Sequence, residues 1–489
     1  MIRDAESLLR AFVASRRGIA ISALLLLGAA SLALCVGLGA DPVGRISEAR
    51  CVEVVRNMIE SGDWLVPRLG ATIRLQKPPL FYWAGSVVAE LSGDTGPWSV
   101  RAVSAAAALA LAALVLAWGR SLGGAGIGLS AAGCLVAMQQ FTSSGRRGDA
   151  EMLLALLSTA ALFCFDRMHA ERRRGLLPLF AALLGLAFLA KATAVLLTVG
   201  APIAVYLALR RELGVLRQPR ILAALAGAAA IGVSWYAAVL AFVPGAFESL
   251  HGALLQPLGS AQAHGGSAHF RAPWWYLSVL PVRAAPASLL LPLVIWRLWT
   301  TRLHREDPRR RFAALAFLAP FAAFSLLPQK QKHYTLAMLP GLALCSADAV
   351  AAAARELGPR FALALRAVGT PLALAGAAAT AVLSLFFVWV EGFTPAAVAA
   401  AAALPLALFA AAGAAALAAR PASFGASWIL GFLLALAVGR GVVQTRVEAL
   451  SRDLASLPLD DRERLALVAR EHPWFARQML ALGASGDDD

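Results

Sequence analysis

The stretch RISEARCVEVVRNMIESGDWLVPRLGATIRLQKPP (Arg45–Pro79) lies between two long apolar runs, Ile19–Gly37 and Ala102–Trp118. Most of the chain is apolar, whereas this stretch brings many Arg, Lys and Glu side chains together. Charged side chains are costly inside a bilayer, so a membrane chain keeps them together where they do chemistry or hold an anion. The stretch therefore indicates a large polar connection between two membrane spans.

The composition is typical of a membrane protein. Of the 489 residues, 59% are hydrophobic and 15% are charged, whereas soluble proteins are about 45–50% apolar and about 25% charged. Leu- and Ala-rich runs long enough to span a bilayer recur along the chain, unlike the short alternating segments of a membrane barrel. The sequence predicts an all-α polytopic membrane protein with about 13 transmembrane helices.

The positive charges indicate a topology. The net charge is +15. The arginines lie mostly between apolar runs, and this position favours membrane lipids and not nucleic acid as partners. Arg-rich segments at every second connection predict a cytoplasmic N-terminus and, with an odd number of spans, an extracytoplasmic C-terminus. We expect a transmembrane domain over residues 1–438, with outer loops at 38–100 and near 244–274, and a short outer tail over 439–489.

Local patterns predict helices in the first outer loop. Ile46–Glu60 has an apolar face, with Ser47 as its expected N-cap and Gly62 as its expected stop. A second amphipathic helix is expected over Phe81–Leu91. Further along, Trp275–Trp296 is expected to form one span.

Basic residues recur in the outer connections, where topology does not require them. An anion bound at the outer surface, such as a lipid phosphate, would explain them. Pairing with nearby carboxylates, or snorkelling to headgroups, is the alternative. The residues are Arg45, Arg50, Arg68, Arg74, Lys77, Arg146, Arg147, Lys191, Arg271, Lys330 and Lys332.

Ser47–Trp83 resembles the first extracytoplasmic loop of aminoarabinose transferase-like glycosyltransferases, in the protein O-mannosyltransferase-like group of the GT-C superfamily. The family pattern there is an acidic pair, a variable residue and Arg, then a GDW-like stretch and Glu-Lys-Pro. Other resembling elements follow in order over roughly residues 1–350. They are Arg101, RRGDAEM (Arg146–Met152), Leu189–Lys191, HFRAPWWY (His269–Tyr276) and SLLPQKQKHY (Ser325–Tyr334).

The resemblance implies a GT-C fold in the bacterial inner membrane. It also implies sugar transfer from a polyprenyl-phosphate donor to a glycolipid or other envelope acceptor at the outer face. Such a site must hold a phosphate, for which lysine supplies a compact charge and arginine a bidentate fork. The candidates for binding the donor phosphate are Lys77 first and Arg50 second, followed by Lys330, Arg271 and Lys191.

Three carboxylates are candidates for the catalytic base that a hydroxyl acceptor requires. Glu48 is the first by position, although a first-turn Glu also stabilises a helix N-terminus. Asp149 and Glu151 are the others, and they could instead pair with Arg146 and Arg147. A phosphate acceptor would need no base.

The chain departs from the family pattern at four positions. Ser47 replaces an Asp, Gln76 replaces a Glu, Glu151 stands where the family has Asp, and Lys191 lacks the following glycine. These changes are consistent with a different acceptor, an altered base or an inactive relative. They keep two alternatives open: a non-catalytic relative, and a transporter or flippase of a lipid-linked precursor, which Arg283 within a span would suit.

No metal site is predicted from the sequence. Gln76 weakens the case for a metal at the first outer loop, and His264, His269 and His333 are isolated along the chain. No cofactor is predicted with certainty beyond the polyprenyl-phosphate sugar, which would be the donor substrate.

Overall fold

The structure is a computed structural model of the chain. It describes residues 15–39, 43, 45–248, 250, 271–301, 307–389, 395–418 and 421–456. Most of the predicted outer connection near 244–274 and the end of the predicted tail, 457–489, lie outside the described residues.

The described chain is almost entirely helical. Its α-helices are α1 (Arg16–Cys35), α2 (Ile46–Ser61), α3 (Leu80–Ser92), α4 (Pro97–Gly123), α5 (Ala125–Ala137), α6 (Gln139–Gly145), α7 (Ala150–Glu171), α8 (Leu177–Lys191), α9 (Ala201–Leu209), α10 (Pro219–Phe242), α11 (Trp275–Arg283), α12 (Leu291–Thr301), α13 (Pro308–Leu326), α14 (Leu339–Glu356), α15 (Pro359–Trp389), α16 (Pro395–Leu417) and α17 (Pro421–Ser456). Short 3-10 helices cover Arg174–Leu176, Leu213–Arg217, Ala287–Leu290 and Lys332–Met338, and a π-helix covers Leu196–Gly200.

The number of spans differs from the prediction. In the described part of the chain, nine helices are long and apolar enough to cross a membrane, or ten if one bent pair counts as a span. The apolar helices Ala125–Ala137 and Leu196–Leu209 are shorter. The all-helical membrane architecture is confirmed, and the count of thirteen is not.

The span predicted over Trp275–Trp296 is not one continuous helix. Its two parts, Trp275–Arg283 and Ala287–Thr301, are bent by 117° at the intervening residues. Pro286 lies at this break, and Pro281 lies in the last turn of the helix before it. Because proline lacks an N–H and clashes with the preceding turn, a continuous apolar run need not be a continuous helix.

The first outer loop folds largely as its pattern indicates. Helices α2 and α3 form where predicted, and Gly62 ends α2 with a φ of 70°, which favours glycine. The N-cap is Arg45 and not Ser47, because Ser47 already lies within the helix. Between the helices, Arg68–Leu69 pairs antiparallel with Thr72–Ile73.

Small residues bring the membrane helices together. On α1 and α4, buried alanines face one another, and Gly119 of α4 approaches Gly128 of α5 so closely that a Cβ would lie 2.8 Å from the Gly128 Cα. Membrane helices associate through such close backbone packing. This packing holds α1, α4 and α5 together, and the candidate site lies near the start of α4.

Candidate active site

Glu48 forms a buried ion pair with Arg101. The Arg101 Nε and Nη2 donate to the two Glu48 oxygens at 2.8 and 3.3 Å, and the third guanidinium nitrogen, Nη1, donates to the Leu38 carbonyl at 2.9 Å. The Gly148 N–H also donates to Glu48 Oε1 at 2.8 Å. Both carboxylate oxygens are therefore engaged, and they join α2, α4 and the segment before α7.

The segment before α7 is held at several points. Arg146 Nη1 donates to the Leu34 and Val36 carbonyls, both at 2.7 Å, at the end of α1. Gly148 has no room for a side chain, since a Cβ would lie 2.3 Å from a Val100 methyl carbon. These contacts fix the backbone that carries Asp149.

Asp149 is the buried N-cap of α7. Its Oδ1 accepts a hydrogen bond from the Glu151 N–H at 3.2 Å, and its carbonyl accepts one from the Ser104 hydroxyl at 3.2 Å. The described residues donate no hydrogen bond to Oδ2. Burial, and then the charge of Glu151, raise the pKa of Asp149 to about 6. Asp149 is thus a carboxylate with a free oxygen and a proton affinity suited to a base near neutral pH.

Glu151 forms an ion pair with Lys191 from α8. The Lys191 Nζ lies 2.5 Å from Glu151 Oε1, and His333 Nε2 lies 3.3 Å from the same oxygen. The Lys191 ammonium also lies 5.0 Å from the centre of the Tyr334 ring. Because Lys191 is paired, much of its charge is neutralised within the protein.

Lys77, by contrast, has no ion pair or hydrogen bond from its ammonium to any described residue. It is half-buried beside Cys51 and Tyr82 and within the field of Asp149 and Glu151. Burial opposes its charge, but these neighbours outweigh that effect and raise the pKa of Lys77 above its usual value. Lys77 is therefore a charged side chain that a ligand can reach.

Two buried polar atoms next to Lys77 also lack partners. They are the Nε of Arg74 and the hydroxyl of Tyr82. Buried polar atoms are nearly always satisfied, so such orphans call for water or a ligand. The Arg74 and Tyr82 side chains do interact with each other, and Tyr82 lies within the field of Lys77, so these polar groups surround the Lys77 ammonium.

The remaining candidates lie in different settings. The buried Lys330 donates to the Arg271 carbonyl at 3.0 Å and to the Leu327 carbonyl, and burial lowers the pKa of this lysine. Arg271 is exposed, and its N–H donates to the Pro328 carbonyl at 3.3 Å. Arg50 is exposed on α2. Lys330 thus holds backbone together, whereas Lys77, Asp149, Glu151 and Lys191 share one site.

Histidine, cysteine and carboxylate side chains in the described part of the chain form no group of three that could hold a metal ion.

Comparison with known proteins gives a consistent result. The family described as dolichyl-phosphate-mannose-protein mannosyltransferase matches residues 76–237. The undecaprenyl phosphate-alpha-4-amino-4-deoxy-L-arabinose arabinosyl transferase of Yersinia enterocolitica is 25% identical over 313 residues, 61% of this chain and 54% of that protein. The corresponding enzyme 1 of Pseudomonas fluorescens is 27% identical over 312 residues, 62% of this chain and 53% of that protein. The chain thus spans about half the length of these curated relatives.

A solved structure shares the fold. ArnT from Cupriavidus metallidurans, bound to undecaprenyl phosphate, matches with a TM-score of 0.68 and 22% identity over 90% of this chain and 80% of that one. The chain therefore has the same fold as ArnT, the GT-C fold. The family match at 76–237 includes Lys77, Asp149, Glu151 and Lys191, the four residues that the ArnT-like fold brings together.

Sequence reasoning missed part of this site. His333 was treated as an isolated histidine, yet it contacts Glu151, which lies far away in sequence. Tyr334 and Tyr82 were not selected as site residues either. The SLLPQKQKHY element contains His333 and Tyr334, so its resemblance to the family was a usable signal. Tyr82 likewise lies in the Ser47–Trp83 element, whose resemblance to the family was the corresponding signal.

Proposed function

We propose that this chain is a membrane glycosyltransferase that transfers a sugar from a polyprenyl-phosphate donor to a lipid or other envelope acceptor. The likeness to arabinosyl transferases and to an ArnT structure that binds undecaprenyl phosphate supports this proposal. One observation carries it within this chain: the ammonium of Lys77, which pairs with no described residue, lies within the electrostatic field of Asp149, whose Oδ2 accepts no hydrogen bond from the described residues. A transferase of this kind needs such a cation for the leaving phosphate and, for a hydroxyl acceptor, such a base.

The residues fit the two ends of the reaction. An acceptor oxygen attacks the anomeric carbon, the bond from that carbon to the phosphate oxygen breaks, and its electron pair stays on polyprenyl phosphate. Lys77 stabilises the negative charge that develops there, as fixed cations do in phosphoryl and acyl transfer. Lys191 adds a second positive charge, which it shares with Glu151.

Asp149 is the best-placed base among the three predicted carboxylates. It takes the proton of the acceptor hydroxyl as the new bond forms. Glu48 is held through both oxygens by Arg101 and Gly148, and Glu151 is held by Lys191. We assign Glu48 and Glu151 to positioning the site.

The test uses binding of undecaprenyl phosphate to the full chain in detergent. Lys77→Ala is expected to weaken binding by roughly 10- to 100-fold, because a charge-assisted contact is lost without breaking any contact within the protein. Lys332→Ala is the matched control, since Lys332 is exposed and has no side-chain partner among the described residues. Equal binding by both variants, together with an unchanged cellular glycolipid profile in a Lys77→Ala strain, would reject the proposal.

One observation favours transport as a second candidate function. The bent pair Trp275–Arg283 and Ala287–Thr301 resembles the broken helices from which transporters build substrate sites. Reconstituted vesicles separate the two activities. Movement of a lipid-linked sugar across the bilayer without sugar transfer would favour the transporter, and transfer on one face without movement would favour the enzyme.

The placement in the membrane is part of the proposal. We infer the bacterial inner membrane, with a cytoplasmic N-terminus, an outer C-terminus and the site at the outer face. Helix α17 continues from Pro421 to Ser456, across the predicted boundary between 438 and 439. Reporter fusions at both termini test this topology, because termini on the same side would contradict it.

A further inference from the structure

Two basic side chains meet at one oxygen of Glu151, in the first turn of α7. The Lys191 Nζ lies 2.5 Å from Glu151 Oε1, and the His333 Nε2 lies 3.3 Å from the same oxygen. The two nitrogens are 3.5 Å apart. Lys191 is the nearer partner, but a shift of about 0.4 Å would bring His333 to the usual hydrogen-bond distance of about 2.9 Å.

Tyr334 holds the imidazole of His333 in this place. The two rings lie edge to face with their centres 4.8 Å apart, and the Tyr334 ring also packs against Phe324 of α13 at 5.1 Å. Aromatic pairs of this kind are favourable beyond the area that they bury. The position of His333 is therefore set by its own 3-10 helix and by α13, and it does not depend on the contact with Lys191.

Glu48, the other paired carboxylate of the site, has a partner that is fixed in place. Arg101 binds both Glu48 oxygens and the Leu38 carbonyl, and only 1% of the Arg101 side chain is exposed. Lys191 contacts one oxygen of Glu151, and 25% of its side chain is exposed. The Lys191 ammonium can thus turn toward a ligand, provided that Glu151 keeps a partner.

The partner matters because Glu151 is largely buried, with 11% of its side chain exposed. Removing the cation from a buried ion pair is strongly unfavourable, since it leaves a charge without compensation. An imidazole N–H that donates to the same oxygen offsets much of this cost, because a hydrogen bond to a charged group is among the stronger ones. His333 is the side chain placed to do this.

We propose that His333 is a positioning residue, which takes over Glu151 Oε1 when Lys191 turns toward the phosphate of the donor. The inference rests on the proposed function, in which Lys191 contributes positive charge at the leaving phosphate. The exchange breaks no covalent bond and transfers no proton. It requires the neutral tautomer of His333 that carries its proton on Nε2, and the neighbouring carboxylate favours that tautomer.

The first experiment needs no donor. Lys191→Met removes the ammonium but keeps the length of the side chain, so it imitates the state in which Lys191 has left Glu151. Unfolding temperatures of the full chain in detergent are measured for Lys191→Met, His333→Leu and the double variant. The loss in the double variant should be at least about twice the sum of the two single losses, because only there does Glu151 lose both partners. Adding Glu151→Gln should remove this excess.

The second experiment measures binding of undecaprenyl phosphate to the same variants. His333→Leu should weaken binding by about tenfold, because release of Lys191 then leaves Glu151 unpaired. His333→Gln should stay within about threefold of the parent, since its amide nitrogen can donate as Nε2 does. In a Glu151→Gln background, His333→Leu should have no further effect. Lys332→Ala is the matched control, because Lys332 is exposed in the same 3-10 helix.

A role limited to packing gives different results. Additive losses of unfolding temperature, or a His333→Leu effect on binding that persists in the Glu151→Gln background, would overturn the inference. Failure of the proposed function is a separate result: binding that is insensitive to Lys77→Ala rejects the donor site, whereas the unfolding measurements still decide whether His333 replaces Lys191 on Glu151.

Discussion

Helix α7 meets charged side chains at both ends, but it meets them in different states. At its start lie Lys77 and Arg147, whose charges have no ion-pair partner among the described residues. Toward its end, Arg309 is held by Asp166 at 3.0 Å and by Glu171 at 3.7 Å. About 26 Å of helix separates Asp149 from Asp166, at 1.5 Å per residue.

Next to Arg309, a second ion-pair network joins three further helices. Arg310 of α13 and Arg297 of α12 bind the two oxygens of Asp348 on α14, at 2.9 and 3.0 Å. Arg309 also donates to the Ser121 carbonyl at the end of α4 at 2.9 Å. Charges at this end join helices to one another, as buried charges in a membrane protein commonly do.

The difference between the two ends of α7 indicates where ligands are expected to bind. Leaving a buried or half-buried charge unpaired is unfavourable. At the start of α7 the fold pairs Glu48 and Glu151 with cations but leaves Lys77 and Arg147 without an ion pair among the described residues, so these two charges are available to a ligand. The unpaired set lies beside Asp149, the carboxylate with a free oxygen. Paired charges should matter for stability, and unpaired ones for activity.

The largest expected effect is at Asp149. Asp149→Asn should reduce sugar transfer by roughly 10²- to 10⁴-fold, because the amide cannot accept the acceptor's proton. The free energy of unfolding should stay the same or rise, since a buried carboxylate is replaced by a neutral group. Steady-state transfer and thermal unfolding measure the two quantities. Full activity in this variant would mean that the acceptor needs no base.

At the other end of α7 the effect should fall on stability instead. Arg309→Leu leaves Asp166 buried without its ion pair and should lower the free energy of unfolding by about 3 kcal/mol, the lower end for a broken buried pair. Adding Asp166→Asn should recover part of this loss, which separates a lost pair from general misfolding. A normal unfolding temperature combined with lost transfer would contradict the comparison.

The pH dependence should report Asp149. Because the pKa of Asp149 is raised to about 6 and the base must be ionised, transfer should fall about tenfold per pH unit below that value and level off above it. A pH profile of kcat/KM at saturating donor measures this. A flat profile through this range would exclude Asp149 as the base.

The smallest effect is expected at the exposed face of α2. Arg50→Ala should change transfer by less than about threefold, because an exposed arginine contributes little to a contact in a polar setting. Arg56→Ala on the same helix is its control, with only an exposed pair to Glu53 at 3.4 Å. A large loss in Arg50→Ala alone would extend the anion site onto this face.

Sequence patterns predicted the parts of the fold that depend on local structure. The apolar runs gave the membrane class, and the periodicity of 46–60 with Gly62 gave α2 to within one residue. The helix break near Ala284–Pro286 was missed because composition, and not the prolines, was used to define the span. Hydropathy measures burial in lipid and is insensitive to where the backbone turns.

The site was predicted in its residue types but not in its pairings. Lys77 and Asp149 were selected from motifs, and the structure places them together. The partners of Glu48 and Glu151 are Arg101, 53 residues away, and Lys191, 40 residues away. Such distances in sequence depend on how α2, α4, α7 and α8 pack, which no local pattern encodes. The carboxylate with a free oxygen could therefore not be chosen in advance.

The segment between α6 and α7 has a consequence for how relatives of this chain can diverge. Arg146 is anchored to α1, Gly148 to Glu48, and Asp149 to Ser104, so three successive attachment points are spaced one or two residues apart. Inserting or deleting a single residue here would shift each following residue away from its hydrogen-bond partner. Evolution can exchange side chains along this segment, but it has little freedom to change its length.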